Sequence, residues 1–184
     1  MIKDLVAIIV CILTACLVAI AATVEGLFLY GVPIILLCAV LSFVVHWIIA
    51  VPSVLTGSEK YFDLTGMIAT LLVVFTVMFA LLNSGQQGSI RSTIVAVFVS
   101  IWSLRLGTFL YKRIVKSGED ARFREIKNSL PKFLMVWTLS ALWVFLTTVN
   151  AITIIALNSQ EPLGWFFLIA VSYTHLTLPT ILLV

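Results

Sequence analysis

Apolar residues fall in long blocks separated by short polar breaks. The blocks are residues 5–24, 33–51, 67–82, 92–111 and 133–157, with a sixth opening at Leu163-Gly164-Trp165-Phe166-Phe167. Each approaches the ~20 apolar residues that carry a helix across a bilayer. Glu25-Gly26 ends the first, and Gly31-Val32-Pro33 starts the second, proline being favoured at a first helical position. The breaks are a polar loop over residues 52–66, the turn-rich Asn83-Ser84-Gly85-Gln86-Gln87-Gly88-Ser89, a charged loop over 112–132, and a short turn at 158–162. The pattern predicts an all-α fold: a polytopic transmembrane helical bundle with about six spans, in one domain over residues 1–171. Trp47 then anchors the end of the second span at the membrane interface, with His46 beside it as an interfacial side chain. Asn150 is the one strongly polar residue inside the fifth span.

Composition supports the same class. Of 184 residues, 62 % are hydrophobic and 10 % charged, and the mean hydropathy of +1.20 leaves too little polar sequence to cover a water-soluble surface. The apolar core of the first block is longer than that of a secretory signal, and Glu25-Gly26 is a poor cleavage context, so a retained first helix is expected. Cys11, Cys16 and Cys38 all lie in apolar runs without a Cys-x-x-Cys or a nearby histidine, and read as packing residues, not as metal ligands or disulfides.

The net charge of +3 matters less than its placement. Lys112, Arg113, Lys116, Arg122, Arg124, Lys127 and Lys132 crowd one loop, whereas Arg91 stands alone in the loops of the other side. The positive-inside rule places residues 112–132 and the amino terminus in the cytoplasm. Glu119, Asp120 and Glu125 interrupt the basic loop, and nothing in it points to nucleic acid; anionic lipid is the simpler partner. The end of the chain, Ser172-Tyr173-Thr174-His175-Leu176-Thr177-Leu178-Pro179-Thr180-Ile181-Leu182-Leu183-Val184, resembles translated sequencing-adapter ends. Residues 172–184 are therefore expected to be a non-native tail on a fragment of a longer protein, and His175 carries no functional weight.

Candidate chemistry is cationic. Arg105 sits inside the fourth block, where a guanidinium costs about 2.5–3.5 kcal/mol on insertion scales. Either it snorkels to the surface near Lys112, or it meets an anionic group or ligand. Trp102, Arg105, Phe109 and Lys112 or Arg113 recur at helical steps, so Arg105 and Arg113 form a cationic stripe suited to phosphate oxygens. Asp63, entering the third block from the same side, can pair with Arg105, hold ligand hydroxyls or cap its helix. Gly118-Glu119-Asp120-Ala121-Arg122-Phe123 reads as a turn and a short amphipathic helix. Tyr61 and Tyr111 are boundary phenols, either an aromatic belt or proton donors. Dinucleotide, phosphate-loop, zinc-protease and serine-hydrolase motifs are all missing.

Phe62-Asp63-Leu64-Thr65-Gly66, Trp102-Ser103-Leu104-Arg105-Leu106-Gly107, Lys112-Arg113-Ile114 and Gly118-Glu119-Asp120-Ala121-Arg122-Phe123 together resemble an uncharacterised bacterial membrane family grouped with steroid 5-alpha-reductases. The resemblance covers about residues 55 to 155. It implies a helical membrane bundle that takes NADPH from the cytoplasm and reduces an activated C=C bond in a lipid- or steroid-like substrate. Asp63, Arg105, Arg113, Asp120 and Arg122 match the family's pattern and would be cofactor-binding. The family's later Ala-Asp-x-Gln and Gly-Leu-Trp…Arg-His-Pro-Asn-Tyr-x-Gly-Glu elements do not occur, which implies an incomplete site and leaves the catalytic acid unassigned. Two other readings stay open: a membrane methyltransferase using S-adenosylmethionine, and a non-enzymatic carrier or assembly protein.

Overall fold

A computed structural model describes residues 2–23, 27–118, 123, 126, 129–161, 164, 165, 169 and 173. Five long helices make up these residues: α1 (Ile2–Ala21), α2 (Ile34–Thr56), α3 (Phe62–Asn83), α4 (Ile90–Ser117) and α5 (Leu130–Leu157). All five are long and apolar enough to cross a membrane, so the chain is an integral membrane protein. The expected sixth span and the 172–184 tail fall almost wholly outside the described residues. Against the expected count of about six, five spans are seen among the described residues.

The loop between the second and third spans is shorter than the sequence reading gave, for two reasons. Pro52 does not stop α2. Its missing N–H leaves one carbonyl of the preceding turn unpaired, a loss that membrane helices absorb through neighbours and side chains. Thr56 Oγ1 donates to the Pro52 carbonyl at 2.8 Å, closing the last turn. Gly57, in the left-handed conformation at φ 59°, then ends the helix. At the other side of the loop, α3 starts five residues earlier than its apolar run, because Phe62 and Leu64 are packed and Asp63 occupies the first turn, where a carboxylate suits the helix dipole. Between α1 and α2, Phe28–Leu29 (β1) and Val32–Pro33 (β2) form a two-residue antiparallel pair. Tyr30 and Gly31 both take positive φ, as a type I′ hairpin requires. Pro33 therefore precedes α2 instead of opening it.

The α5 helix is central and packs against all four others. On the α1 side the contact is a stripe of small residues, Cys11, Ala15 and Ala19, one turn apart, which lets the backbones approach. Phe145, Ile152 and Ile155 of α5 are fully buried beneath α1, α2 and α3. A second cluster closes the bundle at its basic end: Phe133 and Trp137 of α5 with Ala50 of α2 and Phe123 from the charged loop. Phe62 bridges Phe123 and Trp137 with ring centroids at 4.9 and 5.1 Å, both edge-on. The phenylalanine of the Gly118–Phe123 motif is thus a packing anchor.

Candidate functional site

Three polar links fasten α2 to α5. Ser42 Oγ donates to the Ala141 carbonyl at 2.9 Å, and Trp47 Nε1 donates to Thr138 Oγ1 at 3.1 Å. Between them His46 is fully buried. Its Nδ1 lies 2.7 Å from the Ser42 carbonyl, and its Nε2 lies 3.2 Å from Ser140 Oγ. A carbonyl can only accept, so Nδ1 carries the ring proton, and Ser140 donates to Nε2. The interfacial placement expected for His46 and Trp47 is therefore corrected: α2 continues past Pro52, which moves both into the middle of the helix and against α5. We expect His46→Leu to cost about 2 kcal/mol by stranding these partners in a dry seam. Thermal unfolding in detergent would read it, and an unchanged midpoint would contradict the described bonding.

Ser140 also lines a cleft between α3, α4 and α5 with a volume of about 130 Å³. Asp63, Gly66, Met67 and Thr70 line it from α3. From α4 come Trp102, Ser103, Leu106, Gly107 and Leu110, and from α5 Ser140, Trp143, Val144 and Thr147. The volume falls short of the ~300–1,000 Å³ of a typical drug-sized ligand site, so the cleft has room for a segment of a molecule and not for a whole dinucleotide. The walls come together because α3 and α4 cross closely. Ser103 Oγ donates to the Met67 carbonyl at 3.3 Å, and Gly107 leaves no room for a side chain against Met67. Towards the basic end, Tyr61 and Tyr111 stack with centroids 6.4 Å apart, joining the ends of α3 and α4. Trp143 and Thr147 are exposed part-way along α5, so the opposite rim faces sideways, where the hydrocarbon would lie.

The sequence-named residues separate. Asp63 is half-buried and lines the cleft, in the first turn of α3 but without a side-chain cap at the preceding position. Arg105 is exposed. It follows the buried Ser103 by two residues, a rotation of about 200°, so it turns away from the cleft. The stripe expected to descend into the bundle therefore runs along its outside at this position. Arg113 is exposed as well, two turns beyond Leu106 and on the same side of α4, which aligns it with the cleft. Asp120 and Arg122 lie outside the described residues.

Sequence reading missed the cleft's hydroxyls and the His46–Ser140 pair. A periodicity signal existed, since Ser140 and Thr147 lie seven residues apart on α5, but nothing in sequence pairs Ser140 with a histidine on another helix.

A family model described as a protein of unknown function, DUF1295, matches residues 46–181. The chain belongs to this family. No curated protein and no solved structure matches it significantly. All the cleft-lining residues of this DUF1295 member fall within the matched region, as does His46, whereas α1 and the hairpin precede it.

Proposed function

We propose that this DUF1295 member is a membrane reductase that uses NADPH to saturate an activated C=C bond in a lipid-like substrate. The reading includes an orientation in a bacterial inner membrane with residues 112–132 and the amino terminus in the cytoplasm. The observation that carries it is a cleft within the spans lined by a carboxylate, Asp63, with a phenol pair next in sequence to its lining residues Phe62 and Leu110 and the exposed Arg113 farther along α4. The motif resemblance to the steroid-reductase group adds to that support.

The donor set suits such a cofactor. Arg113, and Arg105 from the outer side of α4, would meet phosphate oxygens, which guanidinium forks hold at two points. Asp63 would accept from ribose hydroxyls. When bound, NADPH supplies a hydride. The chain itself would exclude water through Phe62, Trp102 and Trp143, and the Tyr61 or Tyr111 phenol would donate the hydrogen bond that polarises the substrate carbonyl.

The test is NADPH titration of the purified chain in detergent, with S-adenosylmethionine as competitor. We expect Arg113→Ala to weaken NADPH about tenfold, in line with the loss of a charged hydrogen bond of about 1.5–3 kcal/mol. Arg105→Ala, turned from the cleft, should have the smaller effect. Unchanged NADPH affinity in both variants would remove the arginines from the site, and displacement by S-adenosylmethionine alone would favour a methyltransferase.

A further inference from the structure

The cleft contains four hydroxyl side chains, Thr70, Ser103, Ser140 and Thr147. Each has its proton already directed elsewhere. Thr70 Oγ1 donates to the Gly66 carbonyl at 2.9 Å. Ser103 Oγ donates to the Met67 carbonyl at 3.3 Å. Thr147 Oγ1 donates to the Trp143 carbonyl at 2.9 Å. Ser140 Oγ donates to His46 Nε2 at 3.2 Å, a direction forced because His46 Nδ1 must give its proton to the Ser42 carbonyl at 2.7 Å. A hydroxyl has one proton and two lone pairs, so these four groups meet a ligand as acceptors. A ligand carbonyl brought against them finds no proton without breaking an internal bond, whereas a ligand hydroxyl finds lone pairs ready.

We propose that the cleft is a binding site for the hydroxyl end of a membrane-dissolved alcohol, and that it discriminates against the matching ketone. Ser140, fixed by His46, is the positioning residue of this subsite. Entry is from the side, past the exposed Trp143 and Thr147, and the apolar remainder of the ligand stays against α5 and the lipid. The inference stands apart from the reductase reading, since no cofactor takes part. It also restricts that reading, because a substrate carbonyl would have to be polarised by the phenols or indoles around the cleft and not by its hydroxyls.

The test uses the full chain in lipid nanodiscs, with hexadecan-1-ol and hexadecan-2-one as probes and thermal unfolding as the readout, because a ligand held by the folded state raises the midpoint. We expect hexadecan-1-ol to bind about five times more tightly than hexadecan-2-one, with the preference lost in Ser140→Ala. If Ser140→Ala does not fold, Thr147→Val, on the exposed rim, should reduce the preference without unfolding the chain. Equal binding of the two probes, tighter binding of the ketone, or a preference that survives in the variants would overturn the proposal.

Discussion

Gly107→Ala should lower the stability of the folded chain by about 2 kcal/mol, an overpacking cost of the usual size for a close helix contact. In an ordinary helix the change would gain about 1 kcal/mol, because alanine is the better helix former. Here the added Cβ would meet Met67 Cγ and Sδ at 2.8 Å and press against Met67 Cβ itself. A terminal methyl can rotate aside, but a Cβ moves only with its backbone. Helices α3 and α4 would have to separate, stretching the 3.3 Å bond from Ser103 Oγ to the Met67 carbonyl and widening the cleft. Steric cost therefore outweighs propensity. Thermal unfolding in detergent would measure the loss, and Met67→Gly in the same chain should return part of it. A Gly107→Ala protein as stable as the parent would mean that the helices do not approach as described.

Asn158→Ala should cost about 2–3 kcal/mol, since it strands the buried Ser89 N–H, a group worth about 1–3 kcal/mol when unsatisfied, and removes the bonds to Gln86 and Gln87 as well. Asn158 ends α5 in the left-handed conformation at φ 47°, a state that asparagine tolerates better than most residues. From there its side chain clamps the α3–α4 connector. Oδ1 accepts from the Ser89 backbone N–H at 2.7 Å. Nδ2 donates to the Gln87 carbonyl at 3.0 Å and to Gln86 Oε1 at 3.3 Å. Ser89 in turn caps α4 through Ser92 N–H at 3.1 Å. One amide thus holds the ends of three helices together at the face opposite the basic loop. Faster hydrogen exchange at the Ser89 amide, together with a lower unfolding midpoint, would register its loss. Asn150→Ala is the control: Asn150 is exposed, and its replacement should leave both readouts unchanged.

These two asparagines show where sequence reading stopped. Asn150 drew attention because it interrupts an apolar run, yet its position on α5 turns it outward. Asn158 looked like an ordinary turn residue, and only the approach of the α3–α4 connector makes it structural. The same holds for the arginines. Arg105 is conspicuous in the fourth run, and sequence could say that it needs a polar environment, but not which way it faces.

The sequence by itself determined that the chain enters a membrane, and it located five helices with ends within about two turns of those observed. Those properties follow from run length and composition, because an apolar stretch of about 20 residues satisfies its own backbone as a helix wherever it lies in hydrocarbon. Tertiary structure decided the rest: that Pro52 lies within a helix, that His46 meets Ser140, that Asp63 lines a cleft which Arg105 faces away from, and that the protons of the cleft's hydroxyls are engaged in internal bonds. Each of these depends on contact between helices far apart in sequence. Nearly uniform apolar surfaces can meet at many rotations about their axes, and close fits such as Gly107 against Met67 select one of them.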